Sequence, residues 1–244
     1  MSSMLRLSTV SLLAAVLTVA AAVGAAPGDA PATSGAPLKI GIIGTGHIGG
    51  ALATLWVGAG HEVFMSSRHP QELEGLAHSL GAKAHVGTPH DAATFGNVVL
   101  ISVPYGALPQ VGRELKTELS GKIVLDTGNP YPERDGPMAV EARRKGTGVA
   151  SAEYLPGVRL VRVFNAINSG DLRSEAHRKG APIAIPLAAD DPEALKVAEQ
   201  LVRDAGFAPV VVGPLSKARE FDVGTSVYTR LMTEPQLKQA LGLK

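Results

Sequence analysis

The stretch KIGIIGTGHIGGALATLWVGAGHEVFMSSRHP, residues 39–70, decides the fold predicted for this chain. It reads as a buried strand, a glycine turn, an amphipathic helix and a second strand that ends in Ser-Ser-Arg. Gly44, Gly46 and Gly49 form G-x-G-x-x-G between the first strand and the helix. Such glycines allow a tight turn, the close approach of a pyrophosphate and the packing of helix on strand. We therefore predict a dinucleotide-binding turn, the alternative being a plain glycine turn of an α/β protein.

The other end of this stretch indicates which dinucleotide is bound. Sites that prefer NAD carry an acidic residue about 20 positions after the glycines, where it accepts hydrogen bonds from the ribose. Residues 65–67 occupy that place without a carboxylate, and Arg68 follows them. Hydroxyl groups and a guanidinium suit a phosphate, which takes several donors and a paired positive charge. Ser67 and Arg68 are therefore predicted to bind the 2′-phosphate of NADP(H), unless Arg68 is an ordinary solvated loop residue.

The rest of the chain alternates short apolar runs with segments of helical period, which is typical of a parallel sheet covered by helices. The predicted fold class is α/β, a Rossmann doubly wound, mainly parallel sheet with a small C-terminal α/β extension. We expect an NADP-binding Rossmann domain at residues 38–164 and a small C-terminal domain at residues 165–244.

The N-terminal segment differs in composition from everything that follows. Residues 1–26 carry one early arginine and then a mostly apolar run with small residues at its end, the layout of a secretory signal peptide. Residues 27–37 resemble a flexible linker. We therefore expect a periplasmic or secreted protein. The alternatives are a membrane anchor at residues 7–26, or a cytoplasmic protein whose start is assigned too early.

Charge and residue spacing exclude several classes of function. The 23 basic and 22 acidic residues nearly cancel, so no global field recruits nucleic acid or an anionic membrane. No spacing of histidines or carboxylates indicates a metal site, and the chain has no cysteine. No catalytic acid or base is assigned, because hydride transfer between two rings depends mainly on orientation and on the exclusion of water.

Six blocks of the sequence are similar, in the same order, to those of one known family. They are KIGIIGTGHIGGALA, GHEVFMSSRHP, VVLISVPYGAL, VLDTGNP, SAEYLPGVRLVRVFNAI and FAPVVVGPLSKAREFD. The chain resembles the F420-dependent NADP reductase family, a group that also resembles the cytosolic domains of the STEAP metalloreductases. The resemblance covers nearly all of residues 38–222. The charged and glycine-rich insert YPERDGPMAVEARRKGTGVA, residues 131–150, departs from it.

The resemblance implies NADP(H) as cofactor and a cleft where its nicotinamide exchanges hydride with a small acceptor. The residues that it places along the pyrophosphate follow the first strand: Thr45, Gly46, His47 and Ile48. At the 2′-phosphate it places Ser67 and Arg68. The residues it places beside the nicotinamide and its ribose follow the fourth and fifth strands: Val103, Pro104, Asn129 and Pro130. Phe164 and Asn165 are implied to approach the acceptor.

The acceptor implied by the resemblance is a deazaflavin (F420), a flavin or a similar small molecule, and a homodimer is left open. Two other functions stay open at this point. One is a non-catalytic, exported dinucleotide-binding or sensor protein. The other is a hydroxyacid dehydrogenase or a pyrroline-carboxylate-type reductase, although only about 80 residues follow Phe164, which is short for the helical C-terminal domain of those enzymes.

Overall fold

A computed structural model describes residues 35–244 of the protein. The predicted signal peptide at residues 1–26 and most of the predicted linker at residues 27–37 lie outside the described residues. Within residues 35–244, every helix is too short or too polar to cross a membrane.

Eight strands of the described residues form one sheet in the order β3-β2-β1-β4-β5-β6-β7-β8. The strands are β1 Lys39–Ile43, β2 Glu62–Ser66, β3 Ala84–Gly87, β4 Val98–Ile101, β5 Ile123–Asp126, β6 Arg159–Val163, β7 Ala184–Ala189 and β8 Ala208–Gly213. The first six are parallel, while β7 pairs antiparallel with β6 and parallel with β8. The order of the first six is that of a Rossmann fold. The predicted fold class is therefore confirmed.

Eleven α-helices connect and cover these strands in residues 35–244. They are α1 His47–Gly58, α2 Glu74–Leu80, α3 Pro89–Phe95, α4 Leu108–Glu114, α5 Lys116–Leu119, α6 Pro132–Asp135, α7 Pro137–Lys145, α8 Thr147–Tyr154, α9 Ser169–Ser174, α10 Pro192–Asp204 and α11 Glu234–Leu241. Three further segments are 3₁₀ helices: Pro70–Leu73, Tyr105–Ala107 and Leu215–Phe221. The glycine-rich insert is therefore largely helical, as α6, α7 and the first half of α8.

The core lies on both faces of the sheet, because successive side chains of a buried strand point to opposite sides. In β1, Ile42 belongs to one apolar cluster and Ile43 to the other. The first cluster includes Trp56 of α1 and Leu201 of α10, and the second includes Leu108 of α4. Both faces of β1 are therefore covered by helices.

Helix α3 was not predicted, although a local signal for its start is present. Thr88 and Asp91 form a capping box, and Pro89 occupies the first turn. A capping box satisfies backbone donors that have no partner inside the helix. The helix packs closely on β1, since a Cβ at Gly41 would collide with the carbonyl oxygen of Ala92. Its short run of small residues carries too little apolar periodicity to be recognised.

The C-terminal part of the chain continues the main sheet. Strands β7 and β8 extend the sheet beyond β6, and α10 packs against α1 on one face. The indole Nε1 of Trp56 donates to the carbonyl oxygen of Leu201 at 2.9 Å. Residues 165–244 are thus joined to residues 38–164 through both the sheet and the helices, and their separate identity as a domain stays a prediction.

A buried histidine makes a second link between α10 and the N-terminal part. His61 and Asp204 are both buried, and their Nε2 and Oδ2 atoms lie 3.0 Å apart. The amide of Leu38 donates to Nδ1 of His61 at 3.0 Å. Because Nδ1 accepts this bond, Nε2 carries the proton and donates to Asp204. Burial lowers the pKa of His61 below its usual value of 6.5, against the opposing effect of Asp204.

We expect the protein to lose stability on mild acidification because of His61. A histidine whose pKa is lowered by folding contributes its full stability above pH 6.5, and the unfolded chain takes up the proton first as the pH falls through that value. The free energy of unfolding from urea titrations should therefore fall between about pH 7.5 and about pH 5.5. The fall should be smaller in His61→Gln. The exposed-residue control His78→Gln should keep the wild-type dependence, and equal slopes in all three proteins would contradict this role.

Candidate dinucleotide site

The glycine turn lies at the C-terminal end of β1 and is tied to β2. Gly44 has a φ of +91°, a left-handed conformation that favours glycine. The amides of Gly44 and Thr45 both donate to the carbonyl oxygen of Ser66, at 3.1 and 2.9 Å. The turn is therefore held at the edge of the sheet where ligands of open α/β folds bind.

The second and third glycines have different surroundings. A Cβ at Gly49 would collide with the carbonyl oxygen of Gly44, so this glycine is required for the packing of α1 on the turn. A Cβ at Gly46 would have no atom within 4 Å. The space beside Gly46 is therefore open, as the close approach of a pyrophosphate requires.

The N-terminus of α1 supplies donors for an anion. The amide of Gly50 donates to the carbonyl oxygen of Gly46 at 2.8 Å, which leaves the amides of His47, Ile48 and Gly49 outside the hydrogen bonding of the helix. The first turn carries no acidic residue. Within the described residues, the buried hydroxyl of Thr45 has no hydrogen-bond partner. These features fit a bound pyrophosphate, which would accept from the helix amides and from this hydroxyl.

An arginine of α9, Arg173, lies near this turn. Its side chain is exposed, and its Nη1 lies 3.4 Å from the carbonyl oxygen of His47. The His47 side chain is exposed. Sequence reasoning did not identify Arg173, because the two residues are 126 positions apart and no local pattern relates them.

The residues predicted for the 2′-phosphate follow β2 at the same edge. Ser66 is buried, and its hydroxyl donates to the carbonyl oxygen of Ile42 at 2.7 Å. Ser67 is half-buried and its Oγ accepts from the amide of His69 at 2.9 Å, while Arg68 is exposed. Ser67 and Arg68 therefore lie where the adenosine end of a dinucleotide would reach, and their contact with a phosphate stays a prediction.

The residues predicted beside the nicotinamide end β4 and β5. Val103 lies against the turn, because a Cβ at Gly44 would be 2.8 Å from its Cγ1. Pro104 is exposed, Asn129 is half-buried and Pro130 is buried. The structure thus brings all four to the edge that carries the glycine turn, as expected for parallel neighbouring strands.

The side chain of Phe164, a residue implied to approach the acceptor, lies in the core. The ring is only 1% exposed and packs edge-on against Trp56, with the ring centres 6.1 Å apart. Phe164 has a φ of +58°, a left-handed conformation that is uncommon for residues other than glycine, directly after β6. Its backbone, but not its ring, lies at the edge. Asn165 is also buried, and its Nδ2 donates to the carbonyl oxygen of Phe221 at 3.3 Å.

A buried arginine supports the ends of β5 and β6. The Arg162 guanidinium lies 3.0 Å from Oδ2 of Asp126 and 3.4 Å from Oδ1 of Asp222. It also donates to the carbonyl oxygen of Gly128 at 2.6 Å. Arg162 and Asp126 are both 0% exposed. These contacts fix the loop from which Asn129 and Pro130 project.

Two tyrosines near Asn129 were not identified from the sequence. The hydroxyl oxygens of Tyr131 and Tyr228 are 2.7 Å apart, and both residues are half-buried. They are separated by 97 positions, so no sequence spacing reveals the pair. Tyr131 belongs to the insert that departs from the family pattern.

The sheet order and the glycine turn define a Rossmann-type dinucleotide-binding protein. Residues 39–130 match the family model described as NADP oxidoreductase coenzyme F420-dependent. This range contains β1 to β5 and most of the predicted cofactor site. The resemblance predicted from the sequence is therefore confirmed.

Two named proteins are similar in sequence over most of the chain. Metalloreductase STEAP3 of Rattus norvegicus is 31% identical over 191 residues, which are 75% of this chain and 36% of the rat protein. The F420-dependent NADP reductase of Methanothermobacter thermautotrophicus is 26% identical over 217 residues, 83% of this chain and 93% of that protein. The chain thus spans about a third of the length of the STEAP relatives it matches.

Solved structures share the fold. The hypothetical protein SMa0349 of Sinorhizobium meliloti superposes with a TM-score of 0.68 at 24% identity, covering 82% of this chain and 96% of that one. At this level of identity the similarity concerns the fold alone. Its coverage includes most of the described residues.

Gly46→Ala should weaken NADPH binding without unfolding the protein. The new methyl group meets no protein atom and the φ of −87° suits alanine, so the free energy of unfolding should change by less than about 1 kcal/mol. The methyl would occupy the space of the pyrophosphate, so NADPH affinity should fall more than about tenfold. Fluorescence titration measures this change. Gly58→Ala, in equally open space at the other end of α1, is the control and should bind normally.

Wild-type NADPH affinity in both glycine variants would show that no pyrophosphate approaches Gly46. A loss of affinity in Gly58→Ala as well would point to an effect on helix α1 as a whole. Only a selective loss in Gly46→Ala supports the assigned geometry.

Proposed function

We propose that the chain is an NADP(H)-dependent oxidoreductase that transfers hydride between NADPH and a deazaflavin (F420), a flavin or a similar small acceptor. The observation that carries this proposal is the pairing of an open glycine turn with Ser67 and Arg68 at one edge of the sheet. The family description and the name of the methanogen relative support the same chemistry.

Each group of residues at this edge would bind a different part of NADPH. The amides of His47 and Ile48 and the hydroxyl of Thr45 would hold the pyrophosphate, and Arg68 with Ser67 would hold the 2′-phosphate. Val103, Pro104, Asn129 and Pro130 would border the nicotinamide ring. When bound, NADPH supplies the hydride, and the protein supplies orientation and a site sheltered from water.

The buried network under Asn129 holds the loop that would border the nicotinamide ring. Hydride transfer is sensitive to the distance and angle between the two rings, so the loop that borders the nicotinamide has to be rigid. Arg162 and Asp126 hold that loop from below through Gly128: Arg162 donates to the carbonyl oxygen, and Oδ1 of Asp126 accepts from the amide at 2.8 Å. These residues act by positioning and are not proposed to contact either ring.

Arg68→Ala should reduce the preference for NADPH over NADH. The guanidinium is proposed to pair with a phosphate that NADH lacks, and a charged hydrogen bond contributes about 1.5–3 kcal/mol, which is about 10- to 150-fold in affinity. NADPH affinity should fall by this factor, while NADH affinity should stay unchanged. Competitive fluorescence titration of both nucleotides on the full chain measures the two affinities.

Arg113→Ala is the matched control, because Arg113 is an exposed arginine of α4. It removes the same charge without touching the predicted site, so it should bind both nucleotides as the wild type does. An equal loss for NADPH and NADH in Arg68→Ala would contradict the phosphate assignment. If the wild type binds NADPH but reduces neither F420 nor FMN, the alternative of a non-catalytic binding protein is favoured.

A further inference from the structure

The hydroxyl groups of Tyr131 and Tyr228 form a chain with the side chain of Asn129. Tyr228 Oη lies 2.7 Å from Tyr131 Oη and 3.3 Å from Nδ2 of Asn129. Asn129 and Pro130 directly precede Tyr131 and are the residues predicted beside the nicotinamide. The two hydroxyls therefore lie at the end of the sheet where an acceptor would meet the cofactor.

The orientation of the Asn129 amide follows from its other partners. The carbonyl oxygen of Asn165 lies 2.8 Å from one amide atom, and a carbonyl oxygen can only accept, so that atom is Nδ2. The other amide atom lies 3.5 Å from Nη2 of Arg162, which can only donate, so it is Oδ1. Nδ2 therefore has a second proton to donate, and it faces Tyr228.

Either hydroxyl of the pair can be the donor, and the bond from Asn129 favours donation by Tyr228. Tyr228 accepts from Asn129, and its own proton is then donated to Tyr131 at 2.7 Å. The reverse direction would give the Tyr228 oxygen two incoming bonds and leave its proton in a half-buried position without this short bond. The favoured arrangement leaves the Tyr131 proton available to a group outside the pair.

The surroundings of the pair suit proton donation. Burial, followed by the hydrogen bond to Tyr131, raises the pKa of Tyr228, so this residue keeps its proton at neutral pH. The guanidinium groups of Arg134 and Arg143 lie 5.0 and 5.8 Å from the centre of the Tyr131 ring. They fix the ring through cation–π contacts and place positive charge beside the phenolate that donation would leave. Arg134 is itself paired with Asp135, so Arg143 contributes most of this charge.

We infer that Tyr131 is the proton donor to the hydride acceptor, and that Tyr228 and Asn129 orient it. This inference rests on the proposed function and narrows the acceptor to a class. The acceptor is a two-electron acceptor whose double bond is conjugated to a carbonyl or imine, so that one atom gains the hydride and a heteroatom gains a proton.

As the acceptor gains a hydride and NADPH becomes NADP⁺, the Tyr131 O–H bond breaks and its electron pair stays on the tyrosine oxygen. The proton forms a new bond to the heteroatom of the acceptor. Water then reprotonates Tyr131, while Tyr228 keeps its own proton and its 2.7 Å hydrogen bond to Tyr131.

The test compares three tyrosine-to-phenylalanine variants of the full chain. Tyr131→Phe keeps the ring and its cation–π contacts but removes the proposed donor. Tyr228→Phe keeps the donor and removes its hydroxyl partner. Tyr154→Phe is the control, a half-buried tyrosine that contacts Tyr105 in the cluster on the other face of the sheet. NADPH affinity is measured by fluorescence, and kcat and KM are measured with F420 and with FMN.

Tyr131→Phe should lower kcat about 100-fold while leaving NADPH affinity unchanged, since a general acid contributes about 10²- to 10⁴-fold. Tyr228→Phe should lower kcat about tenfold, because the donor remains but loses the hydrogen bond that orients it. Tyr154→Phe should behave as the wild type. A purely structural role would change thermal unfolding and KM together and would not separate kcat from NADPH affinity.

The inference and the proposed function fail differently. If the wild type turns over an acceptor and Tyr131→Phe does so at the same kcat, or with a raised KM alone, Tyr131 is not the donor although the oxidoreductase function stands. If the wild type turns over neither acceptor, the proposed function fails and the inference fails with it. If Tyr131→Phe unfolds at a lower temperature, a wild-type kcat in a stable Tyr228→Phe overturns the orienting role of Tyr228 and, with it, the hydrogen-bond chain that assigns Tyr131 as the donor.

Discussion

One buried guanidinium joins the elements on which the candidate site depends. Arg162 lies near the C-terminal end of β6, fully shielded from water, between Asp126 of β5 and Asp222 after the 3₁₀ segment Leu215–Phe221. Transferring a charge into a protein interior is costly unless hydrogen bonds and opposite charge compensate it. Two carboxylates and the carbonyl oxygens of Asp126 and Gly128 provide that compensation. The fold at this end of the sheet is therefore specified by polar geometry as well as by apolar packing.

This buried network determines what the surface above it can present. Asp126 accepts from the amide of Gly128, and the carbonyl oxygen of Gly128 accepts from Arg162, so both ends of one peptide unit are held from the core. The next residue is Asn129, whose amide is oriented by Arg162 on one side and Asn165 on the other. Because the side-chain amide cannot rotate without losing both contacts, its Nδ2 stays directed at the hydroxyl of Tyr228. The buried network thus orients the polar groups at the carboxyl ends of the strands.

Features that depend on neighbours in sequence could be predicted, and those that depend on distant residues could not. The eight strands are visible as apolar runs, and the glycine turn is visible because its spacing and its place after a strand are local properties. The helices of residues 131–150 were overlooked because prolines and glycines divide them into short pieces. The burial of Arg162 could not be predicted from the sequence, because a charged residue inside a strand is normally expected to face solvent.

The same distinction separates the two halves of the candidate site. The cofactor half is formed by the ends of β1 and β2, which follow one another within 30 residues, so one stretch of sequence indicates both the pyrophosphate turn and Arg68. The acceptor half combines Asn129 and Tyr131 with Tyr228, which the chain reaches only after β7, α10 and β8.

Helix α10 packs on α1 through Trp56 and is linked to the turn after α1 by His61, so the C-terminal segment is attached to the cofactor half as well. Tyr228 itself packs against a third apolar cluster, which includes Val210 and Val212 of β8. Because β8 is part of the same sheet as β1 and α10 packs on α1, residues distant in sequence are held in one structure with the glycine turn. The nucleotide could therefore be inferred from a short motif, whereas the tyrosine proposed to donate a proton to the acceptor had to be inferred from contacts.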